Sequence, residues 1–152
     1  MDTIFINTDG GSRGNPGAAA IGVVFENEKG EKFYKYKECI GIGTNNEAEY
    51  KAILRALQLL LKSNWFAENN LEHKKVICRL DSKLVVEQIC GRWKIKEDRL
   101  RLFVTEIRGM IDQMHLNISF IHIPREENKA ADALVNEALD EDVIKNKTNE
   151  KG

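Results

Sequence analysis

The sequence predicts an α/β fold in which helices pack on a mixed sheet. Three strand-like segments come first along the chain, and helical segments then alternate with two further strands. A strand meander followed by β–α–β crossovers places antiparallel and parallel pairs in one sheet. With 152 residues, 42% of them hydrophobic, the chain has the size and apolar content of one domain with a packed core.

The first three strands are predicted from apolar runs that end in turn residues. They cover residues 3–9, 18–26 and 32–40. The segment Asn27-Glu28-Lys29-Gly30 is a turn that contains a glycine, so the second and third strands are predicted to form a hairpin. We expect the first strand to join this hairpin as a meander.

A long helix is predicted to follow the hairpin. Thr44 and Glu47 fit a capping box, which marks a helix start. Small and apolar residues then recur every four positions, at Ala48, Ala52, Ala56 and Leu60. This spacing indicates one apolar helix face that ends near Ser63-Asn64. Residues 65–75 are predicted to form a polar linker.

The second half of the chain is predicted to alternate between strands and helices. Strands are predicted at residues 76–80 and 117–123, and helices at residues 82–90, 99–114 and 126–139. The residues after the last predicted helix, 140–152, are rich in charge and contain no aromatic side chain. We therefore predict one domain over residues 1–140 and a flexible, charged C-terminal tail over residues 141–152.

Composition excludes several classes of protein. A net charge of −1 argues against a strongly basic nucleic-acid binder, although Arg92–Arg108 carries six basic and three acidic residues. The three cysteines are odd in number and form no CxxC pair, which argues against a zinc ribbon or a disulfide framework. The N-terminus lacks a signal-peptide pattern, and no apolar run could span a membrane. A cytoplasmic monomer is expected.

Four carboxylates occupy related places in the predicted elements. Asp9 and Asp81 each follow the apolar residues of a predicted strand. Glu49 and Asp132 lie in the first turns of predicted helices. If the first, fourth and fifth strands are parallel, their C-terminal ends share one edge of the sheet, and the following helices begin there. The four side chains would then meet in one crevice.

Carboxylates gathered in this way repel each other, and some would be protonated in the absence of a cation. Mg²⁺ relieves this repulsion, because it binds carboxylate and phosphate oxygens. Two such ions about 3.5–4 Å apart suit in-line phosphoryl displacement. Each acid also has a structural alternative, as a turn former for Asp9 or an N-cap for Asp81. The helix dipole alone would favour an acid at Glu49 or Asp132.

Four segments of the chain resemble type 1 ribonuclease H. They are Thr-Asp-Gly-Gly-Ser-Arg-Gly-Asn-Pro-Gly at 8–17, Thr-Asn-Asn-Glu-Ala-Glu-Tyr at 44–50, Asp-Ser at 81–82, and Glu-Asn-Lys-Ala-Ala-Asp at 127–132. Their order and approximate spacing are those of the family. The resemblance implies a five-stranded mixed sheet flanked by helices. It also implies four metal-binding catalytic acids: Asp9, Glu49, Asp81 and Asp132.

The resemblance implies an endonuclease that hydrolyses the RNA strand of RNA–DNA hybrids. It further implies catalysis by two Mg²⁺ ions, with Mn²⁺ as a substitute, and products with 5′-phosphate and 3′-hydroxyl ends. Two alternatives remain: a non-catalytic module that binds hybrids or double-stranded RNA, and another nuclease of this fold that acts on DNA. The presence of all four acids favours the first reading.

The resemblance also implies contacts with the substrate. Asn15, Asn45 and Asn46 match positions that contact the hybrid in its minor groove. An amide both donates and accepts hydrogen bonds, as does the 2′-hydroxyl group that distinguishes RNA from DNA. Thr44 matches a position near a phosphate of the DNA strand, and this role is compatible with its capping role.

The chain departs from the best-known bacterial pattern in two places. Residues 91–98 are too short to hold the additional basic helix, or handle, so the chain resembles the handle-less subgroup. Trp93, with its basic neighbours, is a candidate substitute for the handle; the alternative is a core or hinge aromatic. His122 has about the separation from Asp132 expected of the family's catalytic histidine, but it lies in a predicted strand. Arg125 is the second candidate for a positive charge near the scissile phosphate.

Overall fold

The computed structural model describes residues 2–68 and 72–151, and its five strands form one mixed sheet. The strands are β1 (Thr3–Arg13), β2 (Gly17–Glu26), β3 (Lys32–Gly43), β4 (Lys75–Leu80) and β5 (Asn117–His122). Their order across the sheet is β3-β2-β1-β4-β5. The pairs β1–β2 and β2–β3 are antiparallel, and β1–β4 and β4–β5 are parallel. The predicted mixed sheet is confirmed.

Helices cover both faces of this sheet. They are α1 (Asn45–Leu61), α2 (Asn64–Ala67), α3 (Lys83–Ile89), α4 (Asp98–Met114) and α5 (Lys129–Lys151), with a 3₁₀ turn at Arg125–Glu127 before α5. The first four helices share the main core with β1, β2 and β4. Side chains alternate between the two faces of a strand, so Ala20 and Val24 of β2 point to the other face and pack against α5.

The first strand is longer than the sequence predicts. β1 does not end at Asp9 but pairs with β2 as far as Arg13, opposite Ala18. Its pairing with β4 ends earlier, at Asn7 opposite Arg79. Asp9 therefore lies in a rigid stretch of strand that runs beyond its parallel neighbour. This position excludes the interpretation of Asp9 as a turn former.

The linker predicted at residues 65–75 contains structured residues. Ser63 caps α2 by accepting a hydrogen bond from the Phe66 amide at 3.2 Å. Trp65 is buried, and the buried Lys74 ammonium group donates to its carbonyl oxygen at 2.6 Å. The prediction of a polar linker with some aromatic content is wrong where α2 forms, because Trp65 and Phe66 pack against the main core. Residues 69–71 of the predicted linker lie outside the described residues.

The last helix continues well past its predicted end at Leu139. Its extension is paired with the sheet: the Arg13 guanidinium contacts the Asp140 carboxylate at 2.6 Å, and the Lys37 ammonium contacts that of Glu141, also at 2.6 Å. The sequence predicts too short a helix because charged residues replace the apolar periodicity in this region. Charged residues are nevertheless compatible with an exposed helix whose acids have basic partners.

The cysteines are free thiols, and Cys78 is buried in the core as expected of a structural cysteine. Within the described residues, no helix combines the length and apolar character that crossing a membrane requires. The division into a domain over residues 1–140 and a tail over residues 141–152 stays a prediction.

Candidate active site

The four acids predicted from the sequence line one open cavity of about 400 Å³. Carboxylate oxygens of Asp9, Glu49 and Asp81 all lie within 4.8 Å of one another. Asp132 borders the same cavity, and its charge acts on Asp9. Residues that are far apart in sequence are thus brought together where β4 ends and α1, α3 and α5 begin.

The approach of α1 to β1 depends on Gly10. A Cβ atom at this position would lie 2.6 Å from the Glu49 amide nitrogen and would overlap the carbonyl group of Ala48. Cβ atoms do not approach backbone atoms this closely, so the contact requires glycine. Since Gly10 directly follows Asp9, the helix that carries Glu49 is held against the strand that carries Asp9.

The start of α1 is fixed by the predicted capping box. The Thr44 hydroxyl accepts a hydrogen bond from the Glu47 amide at 3.1 Å, and the Glu47 carboxylate accepts one from the Thr44 amide at 3.2 Å. These two bonds satisfy amides that the first helical turn leaves unpaired. Glu47 is therefore occupied in the cap, and Glu49, one turn into the helix, points into the cavity.

A second glycine allows α5 to approach the sheet from the other face. Gly22 is the cross-strand partner of Asp9. A Cβ atom at Gly22 would lie 2.9 Å from the Leu134 Cβ and would overlap the Ala131 carbonyl oxygen. Because Asp132 follows Ala131, this close contact brings the first turn of α5 beside Asp9.

Asn128 connects the same turn of α5 to β1. Its side chain is fully buried, and its Nδ2 donates to the Thr8 carbonyl oxygen at 2.9 Å. The backbone carbonyl oxygen of Asn128 accepts a hydrogen bond from the Asp132 amide at 3.1 Å. Since Thr8 precedes Asp9, these bonds fix the two acids relative to each other. The sequence does not predict this role; the available signal was an amide four residues before an acid of the same segment.

Asp81 is free of the capping role that its sequence position also allows. The Ser82 hydroxyl accepts from the Val85 amide at 3.3 Å and is the N-cap of α3. The Asp81 carboxylate instead lies in the cavity with Asp9 and Glu49. The structure thus separates the two roles between neighbouring residues.

The electrostatics of the cluster are those of crowded like charges. Burial, followed by repulsion from Asp81, raises the pKa of Asp9 to about 7. Burial, followed by repulsion from Asp9, raises the pKa of Glu49 well above its ordinary value. In the described part of the chain, the buried Glu49 Oε2 atom has no hydrogen-bond partner. A buried oxygen without a partner, among other carboxylates, fits a hard divalent cation.

The predicted substrate-binding amides lie beside this cluster. Asn45 and Asn46 line the same cavity. The Asn45 Oδ1 accepts from the Ser12 amide at 2.9 Å and from its hydroxyl at 3.2 Å, and the Asn15 Oδ1 accepts from the Asn45 amide at 3.0 Å. The turn after β1 and the start of α1 are therefore joined into one surface next to the acids.

The two candidates for a positive charge occupy different places. Arg125 lines the cavity that holds the acids. His122 is exposed at the end of β5 and is not among the described residues that line this cavity. Arg13 also lines it; this arginine lies in the segment 8–17 that resembles the family, but it is not among the predicted site residues.

Trp93 lies on the surface between α3 and α4. Its side chain is 44% exposed, which excludes a core position, and the Lys83 ammonium lies 5.8 Å from its ring centroid. Lys83 follows Ser82 in the first turn of α3. The described residues between α3 and α4 form no further helix, as predicted for a chain without the handle. Trp93 is thus available for an external contact.

Comparison with known proteins identifies a family match over most of the chain. A family model described as "Reverse transcriptase-like" matches residues 7–138. A bifunctional protein of Mycobacterium tuberculosis is 39% identical over 139 residues, which are 90% of this chain and 35% of that protein. The chain therefore spans about a third of the length of this relative. Ribonuclease HI of Halobacterium salinarum is 38% identical over 133 residues, which are 88% of this chain and 62% of that protein.

Similarity extends to solved structures. LC11-RNase H1, a protein isolated from compost, has been solved in complex with an RNA/DNA hybrid. That structure is 43% identical to this chain and matches it with a TM-score of 0.86. The match covers 92% of this chain and 99% of the other.

Proposed function

The chain belongs to the type 1 ribonuclease H family, and from this membership we propose that it hydrolyses the RNA strand of RNA–DNA hybrids as an endonuclease. The observation that carries the proposal is the cluster of Asp9, Glu49 and Asp81 oxygens within 4.8 Å of one another. The hybrid bound to LC11-RNase H1 supports the choice of substrate.

We assign metal binding to Asp9, Glu49, Asp81 and Asp132. Two Mg²⁺ ions, or Mn²⁺ in their place, would activate the attacking water and stabilise the leaving oxygen, which gives 5′-phosphate and 3′-hydroxyl ends. The protein's own contribution is to hold carboxylates together that would otherwise separate. The backbone contacts at Gly10 hold the α1 acid in place, and the rigid strand holds Asp9.

Recognition of RNA is assigned to the amides beside the acids. Among the described residues, Asn45 uses its Oδ1 to bind Ser12, which leaves its Nδ2 to donate to a 2′-hydroxyl. Asn15 and Asn46 extend this surface along the minor groove. Thr44 is assigned to a phosphate of the DNA strand.

We assign the positive charge near the scissile phosphate to Arg125 and not to His122. Arg125 lines the acid cavity, where a guanidinium group can stabilise developing negative charge. Trp93 and its basic neighbours are assigned to contacts with the hybrid outside the cavity. Because this surface replaces a whole basic helix, we expect weaker hybrid binding, and a smaller salt dependence, than for relatives that have the handle.

A cleavage experiment tests this proposal. A hybrid labelled separately on each strand is incubated with the protein and Mg²⁺, and the proposal predicts internal cleavage of the RNA strand alone. Asp9→Asn should abolish cleavage, and Asp112→Asn, an exposed acid on α4, is the matched control that should retain it. Binding without cleavage would identify a binding module, and cleavage of the DNA strand would identify a different nuclease.

A further inference from the structure

A polar pair is buried in the core between α1 and α3. The Tyr50 hydroxyl donates to the Gln88 Oε1 at 2.6 Å. Tyr50 is fully buried, and Gln88 is 6% exposed. The pair belongs neither to the acid cluster nor to the surface. Phenylalanine and leucine could fill this space without any polar group, so packing alone does not account for the two residues.

One end of this pair leads to the residues that connect α3 and α4. We call Gly91–Glu97 the connecting segment. The Gln88 Nε2 donates to the Lys94 carbonyl oxygen at 3.5 Å. The Glu87 carbonyl oxygen also accepts from the amides of Arg92 and Trp93, at 2.9 and 3.1 Å. The last turn of α3 therefore holds the backbone of the connecting segment on both sides of Trp93.

The other end leads to the acid cluster. Tyr50 directly follows Glu49 on α1, and its ring stacks on that of Phe103 in α4, with 5.9 Å between centroids and 7° between planes. The ring is thus packed against α4, and the hydroxyl group binds Gln88 in α3. A hydrogen bond is directional, so it fixes the position of Gln88 more closely than an apolar contact would.

We propose that Tyr50 and Gln88 are positioning residues that hold the connecting segment, with Trp93, at a fixed distance from the acid cluster for hybrid binding. The proposal rests on the assignment of Trp93 to hybrid binding above. Neither residue touches the substrate. Their effect reaches it through the connecting segment, so it concerns affinity for the hybrid and not the chemical step.

The first test is Tyr50→Phe, which removes the hydroxyl and keeps the stacked ring. Steady-state cleavage of the hybrid should show a KM about fivefold higher, roughly the effect of one lost hydrogen bond, with kcat within about twofold of the parent value. Leu57→Ala, at a fully buried core position two turns further along α1, is the control: it should lower the melting temperature and leave KM unchanged. A fall in kcat at constant KM would overturn the proposal, since it would mean that Tyr50 acts on Glu49.

A second test separates positioning from core stability. The double variant Tyr50→Phe with Gln88→Leu replaces the polar pair by an apolar one. Tyr50→Phe alone should lower the melting temperature, because it removes the donor to the buried Gln88 Oε1. In the double variant we expect the melting temperature to recover towards that of the parent while KM stays raised. If KM recovers together with the melting temperature, the pair is part of the core and nothing more.

A third test establishes the route of the effect. In a Trp93→Ala background, Tyr50→Phe should raise KM no further, because the segment through which it acts has lost its contact. If Tyr50→Phe raises KM by the same factor in this background as in the parent, the proposed route is wrong. A parent protein that does not cleave the hybrid at all would refute the proposed function, whereas a parent that cleaves and a Tyr50→Phe variant with unchanged KM would refute only the positioning role.

Discussion

Charged side chains flank both ends of β4, but their electrostatic surroundings are opposite. Before its first residue, the Lys74 ammonium is buried against the Trp65 carbonyl at 2.6 Å and the Glu68 carboxylate at 2.8 Å. After its last residue, Asp81 lies within 4.8 Å of two other carboxylates. The Lys74 ammonium has a carboxylate and a carbonyl oxygen of the same chain as partners. Asp81 lies among like charges, which indicates that its partner of opposite charge is a cation from outside the chain.

This difference separates a structural charge from a functional one. The desolvation cost of a buried ion is offset in part by its partners, whereas a cluster of like charges destabilises the fold until a cation binds. The protein retains this unfavourable cluster at the C-terminal edge of its parallel strands, where ligands bind in open α/β sheets. We therefore expect the two ends of β4 to respond differently to mutation, pH and metal.

The largest effect is expected from Asp81→Asn. Removing one acid at this end should reduce the rate of hybrid cleavage by about 10³-fold or more, because the remaining acids cannot hold both ions in place. The fold should persist, with a metal-free stability equal to or above that of the parent, since one repulsive charge is lost. Cleavage rates and chemical denaturation measure the two quantities. A variant with most of its activity left would remove Asp81 from the site.

The reverse result is expected at the other end of β4. Lys74→Ala should lower the free energy of unfolding by about 2–3 kcal/mol, through lost packing and the loss of the hydrogen bonds to the Trp65 carbonyl and the Glu68 carboxylate. Its kcat on a hybrid should match that of the parent at a temperature where both are folded. Lys74→Met keeps most of the apolar volume, so denaturant titration should show a smaller loss. A large fall in kcat with unchanged stability would contradict the structural assignment.

The stability of the metal-free protein should decrease as pH rises. The pKa of Asp9 is about 7 in the folded state and 3.8 in the unfolded reference, so the folded state binds the proton more tightly between these values. Stability should therefore be lost between pH of about 4 and about 7, by an amount on the order of 4 kcal/mol. Asp9→Asn should flatten this slope, and urea titrations across the range test it. A metal-free parent that becomes more stable over this range would show that the acids are not crowded.

The smallest effect distinguishes the two basic side chains, Arg125 and His122, near the acid end of the sheet. Arg125→Ala should lower kcat by about tenfold, since one guanidinium group is lost near the phosphate. His122→Ala should change kcat by less than about threefold, because His122 does not line the acid cavity within the described residues. Single-turnover cleavage separates these values from product release. The opposite order of effects would assign the role to His122.

Much of the fold could be predicted from local patterns. Thr44 and Glu47 predict the start of α1 because a cap depends on residues three positions apart. Apolar residues at every second or every fourth position predict most strands and helices, because these patterns also depend only on residues a few positions apart. The placement of Asp9, Glu49, Asp81 and Asp132 at element ends was sufficient to predict that they meet, and the structure brings them to one cavity.

The remaining features depend on contacts between distant parts of the chain. The glycines after Asp9 leave room for another backbone, but the residues near Gly10 and Gly22 do not identify the helix that lies against each of them. The bond from Asn128 to Thr8 spans 120 residues and has no local signal. Likewise, β1 extends beyond Asp9 because β2 pairs with it, and pairing cannot be read from either strand alone.

Titration with Mg²⁺ tests directly whether the acid cluster around Asp9 binds metal. Calorimetric binding and thermal unfolding would be measured at pH 8 for the parent, for Asp9→Asn and for the control Asp112→Asn. We expect Mg²⁺ to bind the parent and the control and to raise their melting temperatures, because relief of repulsion stabilises the folded state. In Asp9→Asn, both the binding and the stabilisation should be largely lost. Equal stabilisation of all three proteins would show that Mg²⁺ does not bind at Asp9.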